Sequence, residues 1–149
     1  MGPFDLKSAL LARHAQHVVL IHFPIALFLA SVAFDMVSHW TKQPILAAVA
    51  YYDLLLAALS SVPVDMTGLL AWRWQLEGQR LQGLLLLHLV LGVASSLLIV
   101  LVWWLHFRAR RGVGRLVARY RLPIELLAAL IVGLTAHVGG YLSGVNGPG

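Results

Sequence analysis

Four apolar stretches leave this chain one main way to fold. They cover about 17–38, 44–70, 81–107 and 122–143. Each matches or exceeds the roughly 20 residues that an α-helix needs to cross about 30 Å of hydrocarbon. Inside lipid the backbone has no water to bond, so each stretch must satisfy its own N–H and C=O groups as helix. Short connections make sequential helices antiparallel neighbours. The expectation is an all-α protein, an integral membrane four-helix up-and-down bundle, with residues 1–149 forming a single domain. The second and third stretches exceed what hydrocarbon requires, so tilt is expected. No linker or low-complexity segment separates the spans, and the sequence reads as having no strong internal repeat.

Composition supports that class. Only 11% of residues are charged and 60% are hydrophobic, against about 25% charged in soluble domains. Cysteine is absent, which excludes disulfides, iron–sulfur ligation by this chain and covalent c-type haem attachment. The net charge of +5 comes from basic residues set between apolar runs. That placement suits lipid headgroups and not nucleic acid. Lys7 and Arg13 precede an apolar run with Ser31-Val32-Ala33 downstream, the outline of a signal peptide. The stretch is expected to be retained as the first span.

The third connection carries Arg108, Arg110, Arg111, Arg115, Arg119 and Arg121. The positive-inside rule keeps such a cluster in the cytoplasm. Four spans then put the Arg-rich 108–121 loop and Lys42 inside, with Lys7, Arg13, Arg73, Arg80 and both termini outside. The expected location is the bacterial cytoplasmic (inner) membrane, with the outer side facing the periplasm.

Seven histidines are spread along the chain: His14, His17, His22, His39, His88, His106 and His137. Ionisable groups inside lipid are costly and face a bundle interior. At 1.5 Å rise per residue, His22, His88 and His137 each fall roughly 8 to 9 Å outward of the middle of their spans. Three histidines from three helices therefore reach one level. Each has small residues three or four positions away on its own face: Ala26 for His22, Gly92 for His88, and Gly133 and Gly140 for His137. Such relief suits a flat macrocycle, although small stripes also let membrane helices pack closely. Histidine is a standard axial haem ligand. The first and third spans are diagonal in an up-and-down bundle, so His22 and His88 are the preferred axial pair. His137 is a supporting donor or a further ligand. His17 stands about 140° from His22 around a regular helix. A second pair, His17 with His137, requires distortion at Pro24. His39 and His106 are expected as interfacial side chains, and His14 as solvated.

Asp35, Asp53 and Glu125 fall in the cytoplasmic half. A proton or quinone path is one reading; neutralisation of the Arg cluster, or placement of Glu125 at a helix N-terminus, is the favoured one. Pro63 is expected to kink the second span, and Asp65 either to orient an imidazole or to cap a broken helix. Trp72, Trp74, Trp103 and Trp104 read as interfacial anchors. Arg73 and Arg80 are candidates for haem propionates. No hydrolase or transferase signature appears.

The stretch from His17 through His22-Phe23-Pro24-Ile25-Ala26-Leu27 resembles the opening motif of a family of predicted four-helix bacterial membrane proteins of unknown function. Thr135-Ala136-His137-Val138-Gly139-Gly140-Tyr141-Leu142 resembles its closing motif, Gly-His-x-Gly-Gly-x-Leu, with Ala136 where glycine is common. His88 matches the family's third-helix histidine more loosely. The resemblance covers nearly the whole chain. Relatives look like parts of redox systems, with similar domains joined to c-type cytochrome or Rieske-like modules. This implies membrane electron transfer by a cytochrome b-like subunit holding one haem b, or two. Its partner would be a separate redox-complex subunit or a periplasmic cytochrome, and the quinone pool is a candidate. Two other functions fit the same residues: a structural or assembly subunit of a larger complex, and a zinc or copper site on His22, His88 and His137.

Overall fold

A computed structural model describes residues 13–74, 76–112 and 115–143, with side chains omitted at 13–15 and 115–119. Lys7 lies outside the described residues, as do the side chains of Arg13, His14, Arg115 and Arg119. Among the described residues five helices occur: α1 (Arg13–Leu20), α2 (His22–Thr41), α3 (Pro44–Trp74), α4 (Gly83–Arg110) and α5 (Arg115–Leu142). No strand is present among the described residues. α1 and α2 join into one span, Gln16–Thr41, and four spans in all are long and apolar enough to cross a membrane.

The break between α1 and α2 falls at Ile21. Pro24, in the first turn of α2, has no N–H to offer the Leu20 carbonyl. Lys42 ends α2 in a left-handed conformation (φ 58°), its N–H bonded to Ser38 O. Pro44 then opens α3, a first helical position where its missing N–H costs nothing. The expected kink site does not interrupt α3, which runs on through Pro63.

The helices close into a ring. α2 packs on α3, α3 on α4, α4 on α5 and α5 on α2, while α1 lies against α3. α2 and α4 therefore stand diagonal. The core is made of Phe28, Val32, Leu54, Ala57, Ile99, Val102, Ala128 and Val132. Leucine, valine and aromatic side chains cover the outside, the surface a lipid-immersed bundle presents.

The folded chain also reveals an internal repeat that the sequence reading missed. Shifting the first two spans by 71 positions aligns their burial pattern with that of the last two. Buried Pro24, Phe28, Ser31 and Asp35 fall on buried Ser95, Ile99, Val102 and His106. Buried Leu54, Ala57 and Ser61 fall on buried Glu125, Ala128 and Val132. Leu54-Leu-Leu-Ala-Ala-Leu59 meets Glu125-Leu-Leu-Ala-Ala-Leu130, differing only at the first residue. The bundle is thus two helical hairpins of the same direction, the parallel-repeat arrangement with its axis along the membrane normal. The repeat is hard to see in sequence because lipid-facing positions accept any large apolar side chain, and these diverge freely.

Candidate cofactor site between the hairpins

One stripe of the first span steps through half-buried His17 and Ile21 and then through buried Pro24, Phe28, Ser31 and Asp35. The third span repeats it through His88, Gly92, Ser95, Ile99, Val102 and His106. Alternating steps of four and three keep these residues on one face. His17 is therefore the internal twin of His88, and both line one cavity of about 90 Å³ between the hairpins. Ile21, Pro24, Val64, Gly92, Ser95 and Thr135 line it with them.

The surroundings of the two rings correspond as well. Each imidazole lies on a glycine of the next span in sequence. A Cβ at Gly68 would stand 3.0 Å from His17 Cε1, and one at Gly139 would stand 2.9 Å from His88 Cε1. Gly139 is itself the twin of Gly68. His17 Nδ1 approaches Val64 O at 3.2 Å and Thr67 Oγ1 at 3.3 Å. A carbonyl can only accept, so this contact requires the proton of a neutral imidazole to sit on Nδ1. That is the tautomer in which a histidine ligates metal with a backbone oxygen behind it. At the other ring, Thr135 is the twin of Val64. The His88 imidazole lies by the Thr135 backbone, and its Nδ1 is buried without a hydrogen bond.

Polar groups tie the hairpins together beside the cavity. Ser96 Oγ donates to Asp65 Oδ1 at 2.9 Å, and Ser95 Oγ pairs with Thr135 Oγ1 at 2.8 Å. Asp65 thus sits at the histidine level, but the hydroxyl it accepts from belongs to a serine, and it does not orient an imidazole.

His22, the preferred first-span ligand, follows Ile21 by one residue, so it stands off that stripe and is exposed. His137 is also exposed and packs edge-on against Tyr141. The structure brings His17 and His88 to one cavity; it does not bring His22 or His137 there. The small neighbours of the histidines differ in placement. A Cβ placed on Gly133 would meet nothing within 4 Å, and the position is lipid-exposed, whereas Gly92 does line the cavity. Arg73 and Arg80 are exposed at the histidine end, with the Arg73 guanidinium beside Gly78.

At the opposite end His106 is not interfacial. It is 3% exposed and hydrogen-bonds Glu125, itself 1% exposed. Arg121 donates to both carboxylate oxygens of Asp35 at 2.8 Å, so Asp35 does neutralise a member of the Arg cluster. Among the described residues, Asp35, His106 and Glu125 are the one trio of His, Asp and Glu whose ligand atoms all lie within 4.8 Å of one another. His22, His88 and His137 do not make such a trio among the described residues. His39 is exposed, as expected.

A family model for a predicted membrane protein matches residues 13–147. The chain belongs to the DUF2231 family. The match takes in both histidine–glycine pairs and the buried ionic cluster. No characterised protein and no solved structure matches this DUF2231 chain.

Proposed function

We propose that this protein is a haem b-binding electron-transfer subunit of the bacterial inner membrane, with His17 and His88 as the axial ligands. The observation that carries the reading is the pair of twin histidines from diagonal spans, each seated on a glycine and turned to one cavity. The donor set fits: two imidazoles, a buried Nδ1 without a hydrogen bond on His88, and glycine cradles that a side chain would fill. When bound, haem supplies one-electron exchange. The chain's own residues do the rest. Val64 O holds the His17 tautomer, Gly68 and Gly139 admit the rings, and the largely apolar lining excludes water and so tunes potential.

Arg73 and Arg80 lie at the same end and suit propionate carboxylates. The basic 108–121 loop favours the cytoplasm, which turns the histidine end toward a periplasmic donor or acceptor. The enclosed volume is below the roughly 300–1,000 Å³ of ligand pockets, so occupancy requires the hairpins to part at the plane between them. That tight packing favours a second reading, a structural subunit of a larger redox complex in which the histidines bond between helices.

A dithionite-reduced minus oxidised spectrum of the purified chain, with pyridine haemochrome quantification, tests the proposal. A b-type signal is expected, abolished by His17→Ala or His88→Ala and kept by His22→Ala and His137→Ala. An intact preparation without haem would overturn it in favour of the structural reading.

A further inference from the structure

We propose that Asp35, His106, Arg121 and Glu125 form a proton-binding site at the Arg-rich end of the bundle, holding one exchangeable proton on the His106–Glu125 pair. The inference stands whether or not the histidine end binds haem. The two places are eighteen positions apart along both the first and third spans, about 27 Å at 1.5 Å per residue.

Charge parity carries the argument. Asp35 and Glu125 bring two negative charges and Arg121 one positive. Arg121 takes both oxygens of Asp35 and reaches Glu125 Oε1 at 3.4 Å. With a neutral imidazole the cluster keeps one uncompensated negative charge. A buried charge without compensation is strongly unfavourable, more so inside a membrane. One added positive charge restores neutrality, and His106 and Glu125 are the groups able to accept it as a proton. Glu125 Oε2 is buried with no hydrogen-bond partner, an acceptor left open on the carboxylate whose other oxygen meets His106. The proton resides on the imidazole, making it imidazolium, or on the Glu125 carboxyl.

A metal ion fits less well. A divalent cation would leave the cluster with net positive charge, and Arg121 already occupies both oxygens of Asp35. Among the described side chains, no cation other than Arg121 makes an ion pair with the two carboxylates, apart from His106 itself. α3 contributes buried, uncharged Ala50 and Leu54, with Asp53 and Tyr51 off the buried stripe and Arg110 lying over Tyr51. On α4, Arg108 lies over Trp104.

The fold also contains its own comparison. Ala50 and Leu54 are the twins of Arg121 and Glu125. The same packing position in the other hairpin is thus filled without charge. The ionic residues are not demanded by helix packing, which is the expected pattern for groups present for their chemistry.

The test is nitrogen NMR of the ¹⁵N-histidine-labelled full chain in lipid nanodiscs, read together with infrared absorption of protonated carboxyls. The wild type should show either a doubly protonated His106 ring or one buried carboxylic acid assigned to Glu125. Glu125→Gln removes the excess negative charge, so that signal should vanish and His106 should become singly protonated; Asp53→Asn should change neither. If Glu125→Gln fails to fold, Asp35→Asn/Arg121→Ala/Glu125→Leu, whose last two changes borrow the twin residues Ala50 and Leu54, should fold with a singly protonated His106. A wild type with neutral His106 and no buried carboxylic acid would overturn the proposal. So would a signal unchanged by Glu125→Gln, or one stoichiometric metal per chain by elemental analysis, which would make the cluster a metal centre.

Discussion

Replacing Gly139 by alanine puts a methyl group 2.9 Å from His88 Cε1, 3.5 Å from Nδ1 and 3.7 Å from Nε2. The face of the ring therefore lies on this glycine. Carbon atoms in comfortable contact are about 3.5–4.0 Å apart, so the imidazole has to retreat by roughly 0.6–1 Å. Overpacking of that kind costs about 1–3 kcal/mol. Shifting an axial nitrogen through its support resembles loss of an outer-shell partner, worth about 10–100-fold in affinity. The expected result for Gly139→Ala is a haem titration weakened by that factor, with a perturbed reduced spectrum. Gly68→Ala should act the same way through His17. Gly133→Ala is the control: no atom lies within 4 Å of its Cβ, and alanine favours helix by about 0.5–1 kcal/mol. Thermal unfolding in the same detergent separates ligand loss from misfolding. The reasoning is refuted if Gly139→Ala, folded, binds haem as tightly as Gly133→Ala.

Arg121→Ala strands the Asp35 carboxylate, 2% exposed, without its guanidinium, and should cost about 3 kcal/mol in equilibrium unfolding. Ser96→Ala removes the hydroxyl that Asp65 accepts from; a loss of about 1–3 kcal/mol is expected if the carboxylate is left unsatisfied, with the α3–α4 contact loosening first in hydrogen exchange. The cysteine-free sequence permits single-cysteine mapping. Arg111→Cys should be shielded from an impermeant thiol reagent added outside intact cells, and Ser143→Cys labelled; the reverse pattern would invert the assigned orientation.

Hydropathy alone made the four spans readable, because lipid imposes helix on any such stretch and nothing else in the chain competes. The observed spans agree with the expected ones to within a few residues at most ends, the second extending to Trp74 and the third starting at Gly83. The site was only partly legible. His88 and Gly92 were placed on the correct face, since one unbroken helix carries both. His22 was preferred to His17 on depth and on Ala26, but depth does not say which way a side chain points. The register that does is the alternation of four and three from His17 to Asp35, repeated from His88 to His106. Reading the two stripes against each other would have found it. The His106–Glu125 contact was beyond sequence, since each residue alone resembled an end-of-helix polar group and only packing decides that both are enclosed.

The nearness of Asp35 to His106 has one more consequence. They are twins, and their ligand atoms lie within 4.8 Å, so these positions meet at the axis between the hairpins. In a dimer of two identical hairpins, whatever side chain occupied that position would confront its own copy, and an aspartate would face an aspartate. A single continuous polypeptide lifts this restriction. An acid in one half can meet a base in the other, so covalent linkage of the halves gives this bundle a pairing that a homodimer is forbidden by symmetry.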